Sequence, residues 1–81
     1  MKITYDPEGD VLYIQLRCVT PVDGIDIEEG VTVELDDAGH ITAIEILDAS
    51  ERLTAEDLTS VSYENLLFAA AEIPRATAAA Q

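Results

Sequence analysis

The sequence predicts a small α+β domain: one antiparallel sheet of four or five strands built from two G1-bulge hairpins, with one short helix starting near Thr54 packed on one face. Three observations carry this prediction. Short β-branched runs alternate apolar and polar residues through the first half of the chain. Two similar turn signals, Asp6-Pro7-Glu8-Gly9 and Asp36-Asp37-Ala38-Gly39, interrupt those runs. After Asp48 the period changes to a helical one. Eighty-one residues allow one domain, and a hydrophobic fraction of 48% argues for a folded chain rather than a solvated acidic one.

Each turn puts Asp at the first position and Gly where the backbone must go left-handed, the chemistry of a three-residue hairpin with a G1 bulge. In the first hairpin this sets Asp6 opposite Asp10, Tyr5 opposite Val11 and Ile3 opposite Tyr13, with Leu12, Ile14 and Leu16 on the other face. In the second, Leu35 faces Ile41, Val33 faces Ala43 and Val31 faces Glu45. The strands over 11–17 and 41–47 are then apolar on both sides and belong in the middle of a shared sheet. Lys2 to Tyr5 and the acidic run Ile25-Asp26-Ile27-Glu28-Glu29 read as edges that charge protects from further pairing.

Thr54 is placed as an N-cap, Glu56 and Asp57 fall in the first turn where the helix dipole favours acids, and Leu53 and Leu58 are spaced as a hydrophobic staple. Asp48 is expected to cap the Ala49-Ser50-Glu51 turn. Thr59 to Glu64 alternates as a strand, although Leu58, Val61, Leu66, Ala69 and Ala70 also form an acceptable helical stripe; the strand is the preferred reading. Pro74 closes any helix made by Leu66 to Glu72, and Ala76 to Gln81 should fray.

Seventeen Asp and Glu against four Lys and Arg give a net charge of −13. Phosphate backbones and anionic lipid surfaces are bound by clustered Lys and Arg, whereas Lys2, Arg17, Arg52 and Arg75 are scattered. Nucleic acid and membrane are therefore not expected as partners. No apolar segment follows Met1, and no run of apolar residues is long enough to span a bilayer, so a cytoplasmic setting is expected. Cys18 and His40 stand alone, which leaves no disulfide and no zinc framework.

The remaining chemistry is carboxylate chemistry. Asp6, Glu8 and Asp10 alternate like the start of a calcium loop, but Gly9 comes too early and Arg17 stands where a bidentate Glu is required. Turn formation accounts for them, as it does for Asp36, Asp37 and His40, so neither a metal nor any other cofactor is expected. Glu45 breaks the Ile44-Glu45-Ile46-Leu47 run. It is expected to face solvent or to be neutralised by Arg17 or Arg52, with a buried acid of raised pKa or a partner contact as the sharper alternatives. Ser50, Ser60 and Ser62 lack a nucleophile-elbow context, and no phosphate-binding glycine pattern occurs, so no catalytic residue is assigned.

The blocks Tyr5 to Ile14, Val31 to Asp36 and Ile44 to Ser50 resemble the YuzE-like family of short bacterial proteins, known as domain of unknown function 2283. The resemblance covers Met1 to Leu66 and implies a single domain over 1–67 with an Ala-rich tail over 68–81. It further implies a small bacterial protein of no established activity, some relatives of which neighbour toxin-like proteins and are suspected antitoxins.

Two functions follow as expectations. The first is a non-enzymatic interaction module, antitoxin-like in its sharpest form, meeting a basic protein through Asp26, Glu28, Glu29 and Glu45. The alternative is a small-molecule or metal-binding enzyme subunit using Glu45 and the turn carboxylates. A homodimer is also expected, since a chain this short buries only about 60% of its unfolded surface alone and one helix leaves an apolar sheet face uncovered.

Overall fold

The computed structural model describes residues 1–66. Five strands, β1 (Lys2–Asp6), β2 (Val11–Gln15), β3 (Asp23–Glu28), β4 (Val31–Leu35) and β5 (Ile41–Leu47), are followed by two short helices, α1 (Ala49–Arg52) and α2 (Ala55–Thr59). The strands form one antiparallel sheet in the order β1-β2-β5-β4-β3. The two strands rich in apolar residues, β2 and β5, lie inside the sheet, and the charged β1 and β3 form its edges. The expected α+β architecture is therefore present, with a second helix where one was expected.

The first hairpin differs from the expected register by one residue. Asp6 pairs with Val11, Tyr5 with Leu12, Thr4 with Tyr13 and Ile3 with Ile14, and the left-handed residue is Asp10 (φ 56°) rather than Gly9. Aspartate tolerates that conformation better than most residues with a side chain, and here its carboxylate is held in place by bonds described below. The slip moves Ile3 and Tyr5 to the side of Leu12 and Ile14.

The second hairpin keeps its turn, with Gly39 left-handed (φ 83°) and Leu35 opposite Ile41. A bulge then shifts the register, so Glu34 meets Ala43, Val33 meets Ile44, Thr32 meets Glu45 and Val31 meets Ile46. Thr42 is the extra residue. Its carbonyl accepts from Leu16 N–H (2.8 Å) and Arg17 N–H (3.2 Å), and its hydroxyl donates to the Glu34 carbonyl (3.2 Å). The carbonyl and hydroxyl of the buried Thr42 are thus bonded, as burial requires.

Both shifts act in the same sense and overturn the picture of central strands apolar on both sides. Cross-strand partners share a face. One face therefore gathers Ile3, Tyr5, Leu12, Ile14, Ile25, Val31, Val33, Ile44 and Ile46. The other carries Lys2, Thr4, Asp6, Tyr13, Gln15, Asp26, Thr32, Glu34, Ala43 and Glu45, with Val11 and Leu47 beside Asp6 at one end.

Asp48 occupies the N-cap position of α1 in a left-handed conformation (φ 53°), but its side chain makes no cap bond, contrary to expectation. Helix α2 begins as expected. Thr54 accepts from Asp57 N–H (3.2 Å), and the Asp57 carboxylate accepts from Thr54 N–H (3.1 Å), which closes a capping box. Tyr5, Ser50, Leu53, Ala55, Leu58 and Thr59 line one groove of about 310 Å³, so the helices and the Leu53–Leu58 staple sit by the Tyr5 corner of the apolar face. Residues 60–65 form neither strand nor helix. Val61 and Tyr63 line a groove with Met1 and Ile3 but stay mostly exposed. The alanine-rich residues 68–81, and the Leu66 to Glu72 reading apart from Leu66 itself, lie outside the described residues. No helix among the described residues is long and apolar enough to cross a membrane.

Candidate functional site

The polar face is organised as rows across the strands. In one, Asp26, Thr32, Glu45, Tyr13 and Thr4 stand side by side on β3, β4, β5, β2 and β1. The next row holds Glu34, Ala43 and Gln15, with Lys2 at its β1 end. Neighbouring strands are about 4.8 Å apart, so Asp26 and Glu45, with only Thr32 between them, act on the same solvent layer. The Thr32 hydroxyl donates to Asp26 Oδ1 (2.9 Å) and fixes that carboxylate on the face.

Tyr13 and Glu34 meet over the buried Ala43, whose small side chain leaves room for the ring to reach across β5. The Tyr13 hydroxyl donates to Glu34 Oε1 (2.5 Å). That bond, with burial and the negative charges of Glu34 and Glu45, pushes the Tyr13 phenol up to about 12. Sequence reasoning did not single out Glu34, because the bulge that turns it toward Tyr13 is set by Leu16 and Arg17.

Glu28 and Glu29 lie at the β3–β4 turn rather than on this face. Glu28 pairs with the Arg52 guanidinium (3.3 Å). Arg52 also donates to the carbonyls of Leu47 (3.0 Å) and Glu29, so one side chain ties the turn to the end of β5. The expected acids therefore separate into Asp26 and Glu45, which share a face, and Glu28 and Glu29, which hold or flank an edge. Of the two arginines considered for Glu45, Arg52 takes Glu28 and Arg17 pairs with Asp36 at 2.6 Å. Glu45 itself is half-buried.

A second cluster lies at the β1–β2 turn, at the same end of the sheet as the β3–β4 turn. Asp10 Oδ1 accepts from the Tyr5 hydroxyl (2.7 Å) and Ser50 N–H (2.9 Å), and Oδ2 accepts from the Ser50 hydroxyl (2.6 Å). Its carbonyl accepts from Ala49 N–H (3.0 Å). Asp10 thus caps α1 from forty residues away in sequence, doing what was expected of Asp48. The hydroxyl and amide of Ser50 and the Tyr5 hydroxyl hold the Asp10 carboxyl below its usual range, against a small opposing effect of burial. Donating to the Asp10 carboxylate raises the Tyr5 phenol in turn, with burial and the nearby negative charge adding to the effect.

Asp10, Asp48 and Glu51 each bring a carboxylate oxygen within 4.8 Å of the others, the oxygen chemistry a hard cation takes. Of the alternating Asp6, Glu8 and Asp10, which the sequence reads as turn residues, Asp6 Oδ1 accepts from Glu8 N–H (3.0 Å) and Asp10 turns to Ser50. At the other turn Asp36 accepts from Ala38 N–H (3.0 Å), His40 N–H (2.8 Å) and Arg17. The Arg17 guanidinium, seconded by the His40 amide, lowers the Asp36 carboxyl to about 2.

The chain matches the family model described as "Protein of unknown function (DUF2283)" over residues 2–50. The chain belongs to that family. The matched DUF2283 region runs from the start of β1 to Ser50, so it takes in the whole sheet and the Asp10–Ser50 junction. Helix α2, with its Thr54 capping box, follows the matched part. No curated protein and no solved structure matches the chain.

Proposed function

We propose that this protein is a non-enzymatic interaction module that meets a basic protein across its acidic sheet face in the cytoplasm. The observation that carries the reading is the register that places Asp26 and Glu45 in one row, with Glu34 in the next. An arrangement of like charges on one face builds a negative potential that raises association rates with a positive patch and fixes orientation. Glu29 adds to that potential at the β3–β4 turn, where Glu28 is paired with Arg52. An antitoxin-like role would be one instance, with a basic toxin as the partner.

A catalytic use of Glu45 would need a second group ready to exchange a proton near neutral pH. Tyr13 beside it keeps its proton up to about 12, which favours the binding reading over the enzymatic one. The test is retention of a basic protein from the native cytoplasm at low salt, by the unaltered chain and by a chain carrying Asp26→Asn and Glu45→Gln. The reading expects retention by the first, steep weakening with salt, and loss in the second. It fails if no basic protein is retained, or if the double variant holds it with the same salt dependence.

A further inference from the structure

We infer that two copies of this chain pack their apolar sheet faces together, so that the working molecule is a two-sheet homodimer with an acidic face on each outer side. The starting point is what the described part of the chain leaves unburied. Among the described residues nothing larger than Thr42 is fully buried; the core consists of Thr42, Ala43 and Ala49. Leu12, Ile14, Val31, Val33, Ile44 and Ile46 keep part of their surface open, and Ile25, on the same face, is 50% exposed. A sheet with one apolar face is stable only when a second layer covers that face.

The charge distribution says which layer fits. Asp6, Asp26, Glu34 and Glu45 all stand on the opposite face. The register puts two acids on the apolar side, Asp23 and Glu28, at the two ends of edge strand β3. Asp23 accepts from Gly24 N–H (2.8 Å) and Glu28 pairs with Arg52 (3.3 Å), so both are occupied within their own chain. A chain of −13 can meet its own copy through this face because the charge is elsewhere, and stacked sheets hold their far sides about 20 Å apart or more, beyond the Debye length of ~8 Å at physiological salt.

Size favours a sheet as the cover. Five strands at about 4.8 Å spacing and about five residues in length present on the order of 400 Å² of projected face. Side chains standing up from the sheet raise the accessible area above that projection, which brings two copies to the ~1,000 Å² that a specific interface clears. A single helix covers a strip only about 10 Å wide. Residues 67–81 contribute three large apolar side chains, Leu67, Phe68 and Ile73, against nine on the face. The helices already stand at its Tyr5 corner, so the contact centres on the β5, β4 and β3 side, around Ile44, Val33 and Ile25.

The full chain is tested by sedimentation at high micromolar concentration and by isotope-filtered NMR on a mixture of labelled and unlabelled copies. Twice the chain mass of 8.8 kDa is expected, with inter-copy contacts between the methyl groups of Val33, Ile44, Ile46 and Ile25. Ile25→Lys, at an exposed edge position and reducing the magnitude of the net charge, should raise the dissociation constant by about tenfold or more. Glu45→Gln on the other face should leave it unchanged. A monomer at that concentration, which would mean that residues 67–81 or a different protein covers the face, overturns the inference. So does a dimer whose inter-copy contacts lie elsewhere, or a folded Ile25→Lys chain that dimerises as before. If Ile25→Lys does not fold, the contacts in the unaltered chain decide.

Discussion

Asp36 and Tyr13 show how single side chains tie stability to pH at the two ends of the scale. The folded Asp36 carboxyl titrates at about 2, against about 3.9 when unfolded. A group lowered in this way contributes stability that is full above its unfolded value and is lost as pH falls through the folded one. Chemical denaturation across pH 5 to 2 should therefore find Asp36→Asn less stable than the unaltered chain at the upper end, with the gap closing toward pH 2. A constant gap would mean that Arg17 holds the turn without regard to the charge of Asp36. Tyr13 has the opposite sign. Its folded value of about 12 lies above the ordinary 10.0, so its contribution is full below pH 10 and lost as pH rises through 12. Phenolate absorbance should show one tyrosine titrating last, and Tyr13→Phe should remove that step.

At the scale of elements, the parts readable from the sequence were those decided by neighbours in the chain. The edge strands, the inner strands β2 and β5, the Asp36–Gly39 turn and the Thr54 cap depend on local pattern and turn chemistry, and all are present. The first hairpin was not readable, because Gly9 and Asp10 both offer a left-handed residue and the choice is made by Ser50 and Tyr5. The Thr42 bulge is likewise decided by the amides of Leu16 and Arg17 converging on one carbonyl. The candidate face was half readable: Asp26 and Glu45 stood out one by one, but joining them required the Glu29-Gly30 turn, a two-residue connection that the sequence does contain. Gly30 is left-handed (φ 84°), and a Cβ there would meet Arg52 Nη2 at 2.6 Å. Gly30→Ala should cost about 1–2 kcal/mol for the conformation alone, with a further loss as Arg52 leaves the Glu29 carbonyl. Thermal unfolding should show a drop of about 4–8 °C per kcal/mol for a domain this small. An unchanged midpoint would mean that the arginine clamp contributes nothing to the turn.

For the whole molecule, 17 acids against 4 bases decide the sign of the salt effect. The Arg17–Asp36 and Arg52–Glu28 pairs, at 2.6 and 3.3 Å, weaken as salt is added, but they involve few of the charges. Repulsion among the remaining carboxylates relaxes over the same range, as the Debye length falls from about 30 Å at 0.01 M to about 10 Å at 0.1 M. The melting temperature should therefore rise with sodium chloride. Glu45 is the residue on which to test this, since it is half-buried in a row with Asp26 and near Glu34. Glu45→Gln should stabilise the chain by about 0.5 kcal/mol at low salt, with a shallower dependence on salt, so that the two chains converge as salt rises. That gain in stability should come with weaker capture of a basic partner, the trade expected where a residue is kept for binding at a cost to the fold. A variant that is less stable than the unaltered chain at low salt would place Glu45 in a stabilising contact, and the acidic face would then be a structural feature before it is a binding one.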